Sequence, residues 1–152
     1  MKITMSSEMA IHAVWYMAVH CDDTPIQAPE IAEKLCVSSS YMVKILKKLA
    51  KEEILISKRG KNGGFRMGRP PAEISIADIL VAIERDAIEY FCLHDSRNCP
   101  GPETCPIHDT IVRASKAALT VLQSTTLADL ATQGWRAPAA ECLSKLAGGM
   151  EA

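Results

Sequence analysis

Cys92, Cys99 and Cys105 share one short stretch of the chain, with six residues between the first two and five between the last two. His108 follows three positions later. Thiolates are soft donors that suit iron–sulfur clusters or zinc. Structural zinc favours cysteines two to four residues apart, a knuckle this stretch lacks. The wider spacing fits a cluster whose irons are themselves spread apart. Such a cluster needs a fourth ligand. His108 stands one helical turn beyond Cys105 and could supply an imidazole; an acid from a partner chain is the other source. Redox thiols without metal are the rival reading of the same three residues. Cys21, Cys36 and Cys142 are scattered and suit the small buried hydrophobe that free cysteine often is.

A second chemistry is electrostatic. Residues 34–69 hold ten Lys and Arg side chains against two acids, Glu52 and Glu53, a net +8 in a chain whose total is −1. The remainder therefore carries −9. Such asymmetry points to a segment that binds a polyanion. A solvated lysine face on a helix would give the same counts.

Both chemistries need elements to position them. Met9, Ala13, Tyr16, Met17 and His20 recur at helical spacing, so residues 6–21 are expected to form a helix. Pro29 suits the first turn of a short helix over 29–35, where its missing N–H is no loss. Cys36-Val37 is the turn, and Ser38 is placed to cap a third helix over 39–52. Val43, Leu46, Leu49 and Ala50 are its expected buried stripe, leaving Lys44, Lys47, Lys48 and Lys51 largely on the other side. Ile54 to Ser57 reads as a strand, and Phe65 to Gly68 as its return. Between them the basic turn Arg59-Gly60-Lys61-Asn62-Gly63-Gly64 makes positive φ easy.

Ser75 begins another helix, with Asp78 in a capping-box-like position and Ile76, Ile79, Leu80 and Ile83 as its apolar face. Pro100, Pro102 and Pro106 mark the cysteine stretch as loop. A long helix is expected over 107–123, where Ile107, Ile111, Ala114, Ala118, Val121 and Leu122 form a narrow stripe near the coiled-coil period. That stripe suits a partner helix, or packing within the chain. Thr126 and Asp129 cap one more helix over 127–133.

Short helix, turn, basic helix and basic hairpin, in that order, make a winged helix-turn-helix in a mainly α fold. A helix fits the major groove, with polar residues at its amino end reaching base edges and lysines meeting phosphates. The expected DNA contacts are Ser39, Ser40, Tyr41, Lys44, Lys47, Lys48, Arg59, Lys61 and Asn62. Tyr41 could instead be a core aromatic.

Length and composition agree with a compact domain carrying a helical arm. The chain has 152 residues, of which 48% are hydrophobic and 23% charged, which excludes a disordered tail, a collagen-like fibre and a coiled-coil rod. No apolar run is long enough to span a membrane, and the amino end does not read as a signal peptide, so a soluble cytoplasmic protein is expected. No nucleophile–base arrangement or phosphate loop suggests an enzyme.

Ser40-Tyr41-Met42-Val43-Lys44-Ile45, the wing from Arg59 to Pro70, and Ile76-Ala77-Asp78-Ile79-Leu80 with Ile83-Glu84 resemble the Rrf type of winged helix-turn-helix transcription factors. The resemblance covers about residues 1–134. It implies a homodimer joined by the long helix, and an iron–sulfur cluster held by Cys92, Cys99 and Cys105. Family members that sense nitric oxide use a 4Fe–4S cluster with a partner-chain acid near the amino end, the place of Glu8. Those that govern iron–sulfur biogenesis use a 2Fe–2S cluster with a histidine, the place of His108. The wing and the stretch Thr126 to Leu130 look more like the nitric-oxide sensors, which favours Glu8 and 4Fe–4S over 2Fe–2S. The first cysteine spacing is one residue longer than in either group, and Val43 replaces an acid that biogenesis regulators use in discriminating DNA sites.

The expected organisation is a DNA-binding domain over 1–84 with its wing at about 54–70, a cysteine loop over 85–106, a dimerisation helix and cap helix over 107–134, and a tail over 135–152. The expected function is a DNA-binding transcriptional regulator, a repressor on double-stranded DNA, whose affinity is set by a cluster that senses nitric oxide, redox state or iron–sulfur status. Two rivals are a clusterless thiol-switch repressor and an iron–sulfur carrier or assembly protein that binds no DNA.

Overall fold

The computed structural model describes residues 3–20, 24–60, 62–85 and 105–136. Its first helix, α1 (Met5–Val19), starts where the Thr4 side chain accepts the Ser7 N–H, and Glu8 lies in the first turn, where the helix dipole favours an acid. Met9, Ala10, Ala13, Val14, Tyr16 and Met17 are all buried, which makes α1 the central helix of the core. His20, expected on that stripe, is instead exposed just beyond the helix end.

Pro29 lies in the first turn of α2 (Ala28–Lys34). The turn to α3 (Ser39–Lys51) places Cys36 at φ 53°, a left-handed conformation in an exposed position. Ser38 caps α3 by accepting the Tyr41 N–H at 3.2 Å. The buried stripe of α3 is Met42, Ile45, Leu46 and Leu49. Val43 and Ala50, expected in it, are only half-buried. The i, i+3, i+4, i+7 set that faces the core therefore begins one residue earlier than expected.

Strands β1 (Leu55–Lys58) and β2 (Gly64–Met67) pair antiparallel, Leu55 opposite Met67 and Lys58 opposite Gly64. A third edge joins them: Ile26 and Phe65 exchange two backbone hydrogen bonds at 2.8 Å. That bridge brings the Ile26 carbonyl oxygen within 2.5 Å of where a Cβ on Gly64 would stand, so only glycine fits there. The hairpin is thus anchored to the segment before α2, while its tip stays exposed.

After a 3-10 turn (Pro71–Glu73), α4 (Ile76–Ile83) begins with a full capping box between Ser75 and Asp78. Its apolar face, Ile76, Ile79, Leu80 and Ile83, is buried as expected. α5 (Pro106–Ser124) is the long helix, and α6 (Leu127–Ala131) follows a second capping box, Thr126 with Asp129. Two bonds from Thr126 hold the exposed Asp129 carboxyl below its ordinary value. α6 is not a loose cap. Leu127 is fully buried in the core, and Trp15 of α1 donates its indole N–H to the Leu130 carbonyl at 3.0 Å. Among the described residues no helix is long and apolar enough to cross a membrane.

Candidate functional site

The opposite face of α3 follows from its buried stripe. Lys44, Lys47 and Lys51 point away from Met42, Ile45, Leu46 and Leu49 and are exposed. Ser39 and Ser40, at the amino end, are exposed as well. The wing adds Lys58, Arg59 and Asn62, also exposed, and Gly63 donates to the Gly60 carbonyl at 2.9 Å to close its tip. Lys61 lies outside the described residues. A basic helix face beside a basic hairpin tip is a surface suited to nucleic acid.

Two expected contact residues sit differently. Tyr41 and Lys48 are seven residues apart, so they share one flank of α3, on which Lys48 is still exposed. Tyr41 is half-buried against the core, and its hydroxyl shares a hydrogen bond with Ser6 Oγ at 3.1 Å. Lys48 donates its ammonium to the Ile83 carbonyl at 3.2 Å.

Of the three clustered cysteines, Cys92 and Cys99 lie outside the described residues. Cys105 is the N-cap residue of α5, half-buried and in no disulfide, with Pro106 at the first helical position. Its thiol caps no helix N–H. A thiolate sulfur at that end meets the positive pole of the helix, so Cys105 fits the donor a cluster requires. His108 is half-buried in the first turn of the same helix. Glu8 is half-buried in the first turn of α1. Among the described residues no three His, Cys, Asp or Glu side chains converge to hold a metal ion, so Glu8, Cys105 and His108 do not meet within one chain.

Sequence reasoning passed over His12. It lies one turn beyond Glu8 on α1, stacks at 5.9 Å on Trp15, and buries an Nδ1 that has no hydrogen-bond partner among the described residues. Burial lowers its pKa, and the nearby Glu8 carboxylate only partly offsets this. The i, i+4 spacing of Glu8 and His12 was a visible signal, but burial on a half-buried helix face is not readable from spacing.

Residues 3–133 match the Rrf2 family of iron-dependent transcriptional regulators. The chain belongs to the Rrf2 family. Among its relatives, IscR of Aliivibrio salmonicida is 31% identical over 108 residues, covering 71% of this chain; the match spans 64% of that relative's length. Of solved structures, CymR, the global cysteine regulator of B. subtilis, has a TM-score of 0.74 at 26% identity, covering 88% of this chain and 98% of the other. An oxidised form of Staphylococcus aureus CymR has a TM-score of 0.68 at 26% identity, covering 86% and 96%. The Rrf2 chain described here is accordingly a winged-helix transcriptional regulator, as the sequence led one to expect.

Proposed function

We propose that this Rrf2 regulator binds operator DNA as a homodimer and that an iron–sulfur cluster on Cys92, Cys99 and Cys105 sets its affinity. The observation that carries the reading is the place of Cys105. The last of three clustered cysteines opens α5, a long helix with no fully buried residue among those described, although Leu122 near its end packs against the core. Ile107, Ile111 and Val121 are 70%, 38% and 64% exposed. An amphipathic helix left open in this way suits a second copy of the chain.

In the dimer, Ser39 and Ser40 reach base edges from the amino end of α3, and Lys44 and Lys47 meet phosphates. Arg59, Lys61 and Asn62 track the backbone from the wing. Two recognition helices then read half-sites about one helical turn of DNA apart. When bound, the cluster supplies a redox- and nitric-oxide-reactive centre of the 4Fe–4S type. Glu8 of the partner subunit provides the fourth ligand, in preference to His108, a choice supported by the likeness of the wing and of Thr126 to Leu130 to the nitric-oxide-sensing members. A carboxylate is a hard donor that binds iron of such a centre weakly, so a small reactive molecule can displace it. Signals of nitric oxide, redox state and iron–sulfur supply all fit this chemistry. Repression of the target gene is the expected output.

The likeness to CymR supports a second reading, in which the same fold responds through thiols with no cluster. Anaerobic purification with iron and sulfide counts separates the two. The cluster reading expects a full complement in the wild-type chain, loss of it in Cys92→Ala, Cys99→Ala and Cys105→Ala, and retention in Cys36→Ala. A Cys92→Ala chain with its full iron and sulfide would overturn the reading. Glu8→Ala is expected to lower cluster content while His108→Ala keeps it.

A further inference from the structure

α4 ends without a cation of its own. Its last turn holds no basic residue, although the final carbonyls of a helix lack intrahelical partners and carry the negative pole of the dipole. Lys48 supplies that cation from another element. Its ammonium reaches the Ile83 carbonyl at 3.2 Å, across from the recognition helix. The same end of α4 is also held from α1, where Thr4 Oγ1, the cap of α1, donates to the Glu84 carboxylate. α4 is thus clamped at its carboxyl end between α1 and α3.

Lys48 also differs from its neighbours in direction. Lys44 and Lys47 lie opposite the buried stripe, whereas Lys48 lies on the flank that faces α4. We propose that Lys48 is a positioning residue: it caps α4 from α3, fixes the angle at which the recognition helix is presented, and makes no phosphate contact. This rests on the reading of α3 as the DNA-binding helix. It goes beyond that reading by separating one lysine of the basic face from the rest.

The test uses the full chain and a fluorescent duplex selected by the wild-type protein from a random library. Affinity is measured across a salt series. Lys48→Met keeps the aliphatic stem and removes the donor. It is expected to weaken binding about tenfold, the scale of one charged hydrogen bond, with the salt slope unchanged. Lys48→Arg is expected to recover most of the affinity, since a guanidinium can still donate to the carbonyl. Lys44→Ala, by contrast, should flatten the slope by about 0.9, the signature of one phosphate contact. A flatter slope for Lys48→Met would make Lys48 a phosphate ligand and overturn the proposal, as would unchanged affinity. A second measurement needs no DNA. Amide exchange at Glu84, whose N–H donates to Leu80, should quicken in Lys48→Met but not in Lys44→Ala. Equal exchange in the two variants would also overturn it. A wild-type chain that binds no duplex would instead defeat the reading of α3, and the exchange arm would still report whether the cap exists.

Discussion

His12 is a half-buried imidazole, its Nδ1 buried, whose protonation folding opposes. Burial lowers its pKa below the ordinary value of about 6.5, so between that value and the lowered one the unfolded chain holds more protons than the folded one. Its contribution to stability is therefore complete above the ordinary value and is lost as pH falls toward the folded one. Comparing thermal unfolding of the wild-type chain and His12→Gln from pH 7.5 down to 5.5 checks this. The wild type is expected to lose more stability than the variant over that span; parallel curves would contradict it. At this scale the sequence was legible where chemistry is local. The Ser38 cap and the Ser75–Asp78 and Thr126–Asp129 boxes depend on side chains three residues apart, and all three formed. Tyr41 and Lys48 were not legible, because a flank position is turned by its neighbours: Ser6 of α1 and Ile83 of α4 lie 35 residues away in the chain. Cys105 was found by type and spacing, but its place as a helix N-cap was not.

Elements follow the same division between local and distant causes. The helix-turn-helix and the hairpin were readable from periodicity, Pro29 and the glycine-rich turn, with bounds shifted by a residue or two. The Ile26–Phe65 bridge that anchors the wing left no mark, since it uses backbone groups only. The burial of Leu127 was equally hidden, and it seats α6 on α1 rather than on the arm. For α5 the narrow stripe was legible, and the structure leaves Ile107, Ile111 and Val121 exposed while Leu122 packs against the core. Ile111→Lys places a charge in the proposed seam, where an unpaired ion is costly by several kcal/mol. The variant is expected to sediment as a folded monomer at concentrations where the wild type is a dimer. A folded variant that still dimerises fully would move the seam elsewhere.

The whole molecule leaves Lys44, Lys47 and Lys51 of α3 and Lys58 and Arg59 of the wing exposed, and puts a soft-ligand cysteine at the head of α5. Two copies paired through α5 would fix the separation of two α3 helices. A cluster at the head of α5 would then act on that separation rather than on any base contact. A change of about 1.4 kcal/mol in such coupling alters affinity tenfold. The most direct measurement is DNA affinity of the anaerobically purified chain, loaded with its cluster and then stripped of iron, on duplexes selected by each form in parallel from a random library. At one fixed salt concentration, the two forms are expected to differ by about tenfold or more on at least one duplex, with Cys92→Ala held at the stripped value. Equal affinities on every duplex, in a protein that demonstrably carries iron and sulfide, would contradict control of DNA binding by the cluster.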